Sequence, residues 1–194
     1  MFKIIKLHYL EKEDLKKIVQ WNANKAADYL LQWAGPAYTY PLTLKQVEEH
    51  YFDDIKRNNS NILAYKIQLL DTDEIVGTIE LREINKKNKV GRICRFLIGE
   101  ESGRGNGIGT LALKEILRIA FTELYFEKVT LGVFDFNLGA IKCYENAGFV
   151  KEKFLENTRK ATVGYWNLYE MSILKSQWQI TREKGGETPA NIVQ

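Results

Sequence analysis

The sequence predicts an α/β fold on three observations. Apolar runs with strand character alternate with helical periodicities along the chain. A glycine-rich turn, Gly105-Asn106-Gly107-Ile108-Gly109, joins a strand-like run, Ile93 to Ile98, to an amphipathic helix. A second strand–turn–helix unit follows, with Lys128 to Phe134 leading into Asn137 to Gly148. With 194 residues, 45% hydrophobic and 12% aromatic, the chain reads as one domain with an ordinary core.

Phe2 to Tyr9 is the opening strand. Asp14 to Asn24 is a helix with Leu15, Ile18, Val19 and Asn22 on one face. Tyr29 to Pro41 is aromatic and holds Gly35 and Pro36, which marks a loop. Thr43 caps a helix from Leu44 to about Arg57, with Val47, Tyr51, Phe52 and Ile55 apolar. After the turn cluster Asn58-Asn59-Ser60-Asn61, Ile62 to Leu70 and Ile75 to Ile84 are strands joined by a hairpin-like Asp71-Thr72-Asp73-Glu74. A polar turn, Asn85 to Lys89, leads into the strand Val90 to Gly99. Leu113, Ile116, Leu117, Ala120, Phe121 and Leu124 then repeat at helical spacing.

Lys128 to Phe134 is the next strand. Asn137 is a good N-cap for a short helix, and Gly148 sits where a left-handed residue would close it. Phe149 to Leu155 and Gly164 to Leu174 are the last strands. From Thr181 the chain turns polar, so residues 1–180 read as the domain and 181–194 as a mobile tail.

Composition narrows the function classes. A formal net charge of +3, from 28 basic and 25 acidic residues, makes no electrostatic case for nucleic acid. Cys94 and Cys143 are too few for a disulfide framework or a cysteine zinc site, and His8 and His50 lack metal-ligand spacing. No metal is expected. No apolar run approaches the roughly 18 residues of a membrane span, and Met1 to Lys6 lacks a signal peptide's apolar segment. The expectation is a cytoplasmic protein with no membrane partner.

The glycine turn carries the chemistry. A glycine-rich turn that opens a helix leaves backbone N–H groups unpaired at the positive end of the helix dipole, a site made for phosphate. Two phosphate motifs fail. A Walker A loop needs Gly-Lys-Ser/Thr, which is absent; a Rossmann fingerprint would need glycine at Thr110 or at Ile108. Arg104-Gly105-Asn106-Gly107-Ile108-Gly109 does fit Arg/Gln-x-x-Gly-x-Gly/Ala. It resembles the acyl-CoA pyrophosphate loop of the GNAT superfamily, the Gcn5-related N-acetyltransferases. Downstream, Asn137, Ala140, Tyr144, Gly148 and Phe149 are close to that superfamily's Asn-x-x-Ala-x-x-x-Tyr-x-x-x-Gly-Phe pattern. The resemblance covers about residues 2–175. Leu31 to Pro36, Tyr40 to Thr43 and the strand Tyr165 to Leu174 look like the RimJ/RimL-type branch, which includes acetyltransferases of ribosomal protein N-termini.

That resemblance implies a mixed sheet splayed at the acyl-CoA site and flanked by helices. It implies acetyl-CoA as cosubstrate and a primary amine as acceptor, either a protein N-terminus or a small molecule; a homodimer is compatible with it. Phe96, Leu97 and Ile98 would bind the pantetheine arm. Arg104, Gly105, Asn106, Gly107, Ile108, Gly109 and Thr110 would hold the pyrophosphate, with Asn137, Ala140 and Tyr144 beside them. Tyr144 matches the family's general acid; the competing reading is a packed core tyrosine. Glu80 is the candidate base, because it faces away from Ile79 and Leu81 on its strand. The competing reading is a salt-bridged strand glutamate, with water relaying the proton. Trp33, Tyr38 and Glu80 are the candidate acceptor contacts. Gly99 to Arg104 is one residue longer than in many members. Two alternatives stand beside the main reading: a polyamine, amino-sugar or antibiotic acetyltransferase, and a non-catalytic acyl-CoA-binding module.

Overall fold

The computed structural model of the chain describes residues 4–184. Among these residues seven strands form one mixed sheet: β1 (Ile5–Tyr9), β2 (Ile62–Leu69), β3 (Ile75–Asn85), β4 (Val90–Ile98), β5 (Lys128–Phe134), β6 (Val150–Lys160) and β7 (Tyr165–Leu174). Their spatial order is β1-β2-β3-β4-β5-β7-β6. Only β4 and β5 run parallel, and they pair only from Val90↔Lys128 to Arg92↔Thr130. Beyond Arg92 they part, which opens the sheet as the resemblance implied.

The helices are α1 (Leu15–Asn22), α2 (Ala27–Ala34), α3 (Leu44–Glu49), α4 (Ile108–Arg118), α5 (Leu138–Asn146) and α6 (Lys175–Lys184). Each face of the sheet carries its own core. Leu113, Ile116 and Leu117 of α4 pack with Ile141 of α5 and with Ile67, Ile79 and Leu131 of the strands. On the other face, Leu15 and Ile18 of α1, Leu30 of α2 and Val47 of α3 pack with Ala64 and Leu97.

Two expectations are corrected here. Residues 29–41 are not simply a loop, since α2 covers 27–34 before a 3-10 turn at Gly35–Ala37. Ala27, Leu30, Leu31 and Ala34 fall at i, i+3, i+4 and i+7, and this stripe outweighs the glycine and proline that follow it. Past β7 the chain forms α6, which the sequence reading did not assign. Trp178 seats it, with its ring 5.3 Å from that of Phe121. Residues 181–184 of the expected tail are therefore helical, and 185–194 lie outside the described residues.

Local chemistry sets the ends of the site's helices. The Thr43 hydroxyl accepts from the Gln46 N–H at 3.4 Å, and the Asn137 side chain accepts from the Ala140 N–H at 3.2 Å. Gly148 closes α5 at φ +98°. After Glu49 the chain widens into a π-helical turn, His50–Ile55, and α4 widens in the same way at Ile119–Glu123. In β4, Thr78↔Leu97 is followed by Glu80↔Cys94, so two residues of β4, Arg95 and Phe96, oppose Ile79 alone. This is a β-bulge, and Arg95 within it takes φ +41°.

Candidate active site

The parting of β4 and β5 creates a cleft of about 680 Å³. Phe96, Leu97 and Ile98 form one wall and Gly132, Val133 and Phe134 the other. The glycine loop and the start of α4 close one end, and α5 supplies Asn137, Ala140 and Tyr144. Gly107 precedes α4 at φ +78°, and a Cβ built there would project into open space. The N–H groups of the first turn of α4 have no intrahelical partner. A pyrophosphate fits such a cradle because nothing but backbone stands in its way.

Most of the residues expected to bind the cosubstrate line this cleft; Asn106 and Ile108 do not. The Asn106 amide turns back to donate to the Ser102 carbonyl at 2.9 Å. The Ile108 side chain is fully buried in the core, which leaves only its backbone for a ligand. Arg104 lines the cleft but is already engaged. It donates to the Ile98 carbonyl at 3.0 Å and to the Tyr29 hydroxyl at 2.7 Å, tying the loop to β4 and α2. Asn137 spends its side-chain oxygen on the helix cap.

Several lining residues were missed by sequence reasoning. Tyr29 and Gln32 reach the cleft from α2, and Lys142 and Cys143 from α5. The helical stripe of α2 was the signal for the first pair. Gly132 had a signal too, because a glycine inside a strand marks a close approach.

Tyr144 stands where two cavities meet. It lines the large cleft and also a smaller cavity of about 200 Å³, together with Trp33, Phe96, Gly132 and Phe134. Its ring lies 6.3 Å from that of Phe96 and 6.2 Å from that of Phe149. Burial, with a contribution from Cys143, pushes its phenol above the ordinary tyrosine value. The hydroxyl therefore keeps its proton at neutral pH and can act as a donor.

Glu80 is elsewhere. It is 5% exposed, and neither cavity beside Tyr144 is lined by it. One of its oxygens accepts from Arg95 Nε at 2.7 Å and contacts His50 Nε2 at 3.0 Å. Its other oxygen accepts from Arg95 Nη2. His50 Nδ1 meets Asp54 at 2.8 Å, so both ring nitrogens face carboxylates. Burial alone would raise the Glu80 carboxyl, but the hydrogen bonds from His50 and Arg95 outweigh it and hold the group below the usual range. A carboxylate so committed is a weak base, which favours the salt-bridged reading of Glu80 over the catalytic one. Tyr38 is 8% exposed and sits by this cluster, its ring 5.7 Å from that of His50. Among the expected acceptor contacts, only Trp33 lines the cavities at Tyr144; its indole N–H donates to Asn22 at 3.0 Å.

Among the described residues, no group of three or more His, Cys, Asp and Glu could hold a metal ion. No described helix is long and apolar enough to cross a membrane.

Comparison with known proteins agrees with this geometry. The family model described as the acetyltransferase (GNAT) family matches residues 27–149. An uncharacterized N-acetyltransferase from the SPbeta prophage of Bacillus subtilis (strain 168) is 28% identical over 113 residues, which are 58% of this chain and 60% of that protein. Spermidine N(1)-acetyltransferase of Vibrio cholerae serotype O1 is 27% identical over 173 residues, covering 89% of this chain and 94% of that protein. The crystal structure of spermidine N-acetyltransferase from Vibrio cholerae in complex with CoA and spermine aligns with a TM-score of 0.77 at 24% identity. That alignment covers 90% of this chain and 98% of that one, and it shows a shared fold.

Proposed function

The chain belongs to the acetyltransferase (GNAT) family, and from that premise we propose that it moves an acetyl group from acetyl-CoA to a primary amine. The observation that carries this reading is the junction at Tyr144, where the glycine-loop cleft meets the smaller cavity. Acetyl-CoA, when bound, supplies an acetyl group activated as a thioester. The N–H groups at the start of α4 hold the pyrophosphate. The edge of β4 left unpaired past Arg92 offers backbone groups to an extended arm, and one N–H there polarises the carbonyl. Tyr144 gives its proton to the departing sulfur. Glu80 acts by fixing Arg95 in the bulge, and water carries away the amine proton.

Two acceptors are in view. A protein N-terminal α-amine, as in the RimJ/RimL-type branch, is supported by the aromatic group beside the smaller cavity. There the Trp166 ring lies 4.8 Å from both Phe134 and Phe136. A polyamine is the second reading, favoured by the likeness to spermidine N(1)-acetyltransferase. A polyamine calls for clustered carboxylates, and no aspartate or glutamate lines either cavity at Tyr144. Glu49 faces an outer cleft of about 600 Å³ together with Asp53 and Asp54, and Asp28 accepts from Thr162.

Calorimetry in chelator should show saturable acetyl-CoA binding at one site per chain; no binding under native conditions would reject the assignment. A screen of N-terminal peptides, polyamines and small amines for CoA release should then identify the acceptor. With that acceptor, Tyr144→Phe should lower kcat by about ten- to a hundredfold, at or below the low end of proton-transfer effects, because a thiolate leaves tolerably well. Acetyl-CoA affinity should barely change, since the ring and its packing remain. Equal kcat, with chemistry limiting the rate, would return Tyr144 to a packing role and strengthen the case for a non-catalytic acyl-CoA-binding module.

A further inference from the structure

The cavity on the far side of Tyr144 has a lining that neither acceptor above explains. Arg92, Arg95 and Arg159 all face it, and no aspartate or glutamate does. Two of the three cations have partners, but those partners sit outside the lining. Arg92 donates to Glu170 at 3.2 Å and Arg95 to Glu80. Arg159, on β6, differs: its Nε is buried without a hydrogen-bond partner. Arg82 Nε is buried and unpaired in the same way at the outer cleft, so what singles out Arg159 is its place on this wall beside Arg92 and Tyr144. One of the arginines also stands close to the large cleft. Arg92 Nη2 comes within 3.0 Å of where a Cβ on Gly132 would lie, and Gly132 borders the large cleft as well.

From this we propose that the acceptor is a small amine carrying an anionic group, carboxylate or phosphate, held by Arg159 with Arg92 while its nitrogen is presented at Tyr144. The proposal rests on the transferase reading and names its substrate class. A planar guanidinium matches either anion through paired N–H donors. The volume, about 200 Å³, equals about six or seven waters at their liquid share of about 30 Å³ each, which suits an amino-acid-sized molecule. The same charge serves the chemistry. Cations around an amine disfavour its protonated form, so the wall itself helps to release the neutral nucleophile that no positioned carboxylate base provides. A polycation would meet three cations there and no lining carboxylate.

The test compares matched pairs at saturating acetyl-CoA, reading kcat/KM from CoA release. The pairs are β-alanine against β-alaninamide and phosphoethanolamine against ethanolamine, with spermidine alongside. The wild type should prefer an anionic member by about 10- to 100-fold, the worth of one charged hydrogen-bonded contact, and the favoured pair distinguishes carboxylate from phosphate. Arg159→Gln should erase that preference, and Arg159→Glu should move it toward spermidine, with thermal midpoints confirming that both variants fold. A wild type that prefers spermidine or the neutral amines, or a preference that survives in Arg159→Gln, overturns the inference and leaves the transferase standing. A chain that binds acetyl-CoA but acetylates no amine overturns both.

Discussion

Replacing Glu80 by Gln is expected to cost the fold about 3–5 kcal/mol, the range for breaking one partner of a buried ion pair. The carboxylate is 5% exposed and holds Arg95 and His50 together. Glutamine keeps the shape but removes the charge, which leaves the Arg95 guanidinium buried without its counterion. The loss should depend on pH. In the folded chain the Glu80 carboxyl is held below its ordinary value, burial opposing and the His50 and Arg95 hydrogen bonds prevailing. Its contribution is therefore fully present above the unfolded carboxyl value of about 4.3 and is lost as pH falls through the lower folded value. Urea midpoints of wild type and Glu80→Gln should lie far apart near neutrality and converge in acid. The pH–rate profile of the variant should keep the wild-type shape. A rate loss confined to low pH, with little change in stability, would restore Glu80 as the base.

Gly107→Val should weaken acetyl-CoA binding by a hundredfold or more while lowering stability by only about 1–2 kcal/mol, the cost of a left-handed conformation for a residue with a Cβ. Both effects come from one geometry. Gly107 has φ +78°, and the space a side chain would enter is the open cleft. The stability term is strain. The binding term is the loss of about two charge-assisted hydrogen bonds to a displaced pyrophosphate, at about 1.5–3 kcal/mol each. Isothermal titration and a thermal melt separate the two. A folded variant with unchanged affinity would show that the phosphates bind elsewhere.

The cosubstrate side was legible because its parts are local. A glycine turn, a strand before it and a capped helix after the next strand each declare themselves within a dozen or so residues, and the fold only has to bring them together. The acceptor side is assembled from distant segments. Arg92, Arg159 and Trp33 belong to three elements with no shared periodicity. Glu80 shows the limit most clearly. Alternation along β3 told which way it faces, but its partners are Arg95 on the neighbouring strand and His50 on the helix between α3 and β2. No pattern within β3 specifies either. The helix α2 was legible in its apolar stripe and was masked by Gly35 and Pro36, which end it rather than prevent it.

The bulge in β4 gives this strand something like a reading frame. Ile93 feeds the core under α4, yet Leu97, an even number of positions later, feeds the opposite core, and Phe96 and Ile98 take over the first. One inserted residue has exchanged odd for even. Deleting it would transpose everything downstream: Leu97 would change sides, and Phe96 and Ile98 would leave the face they share with Tyr144. A change in length after Ile98 falls in a loop and leaves the alternation of the strand untouched. Inside β4 a single residue acts as a frameshift, written in the pleat of a sheet instead of in codons.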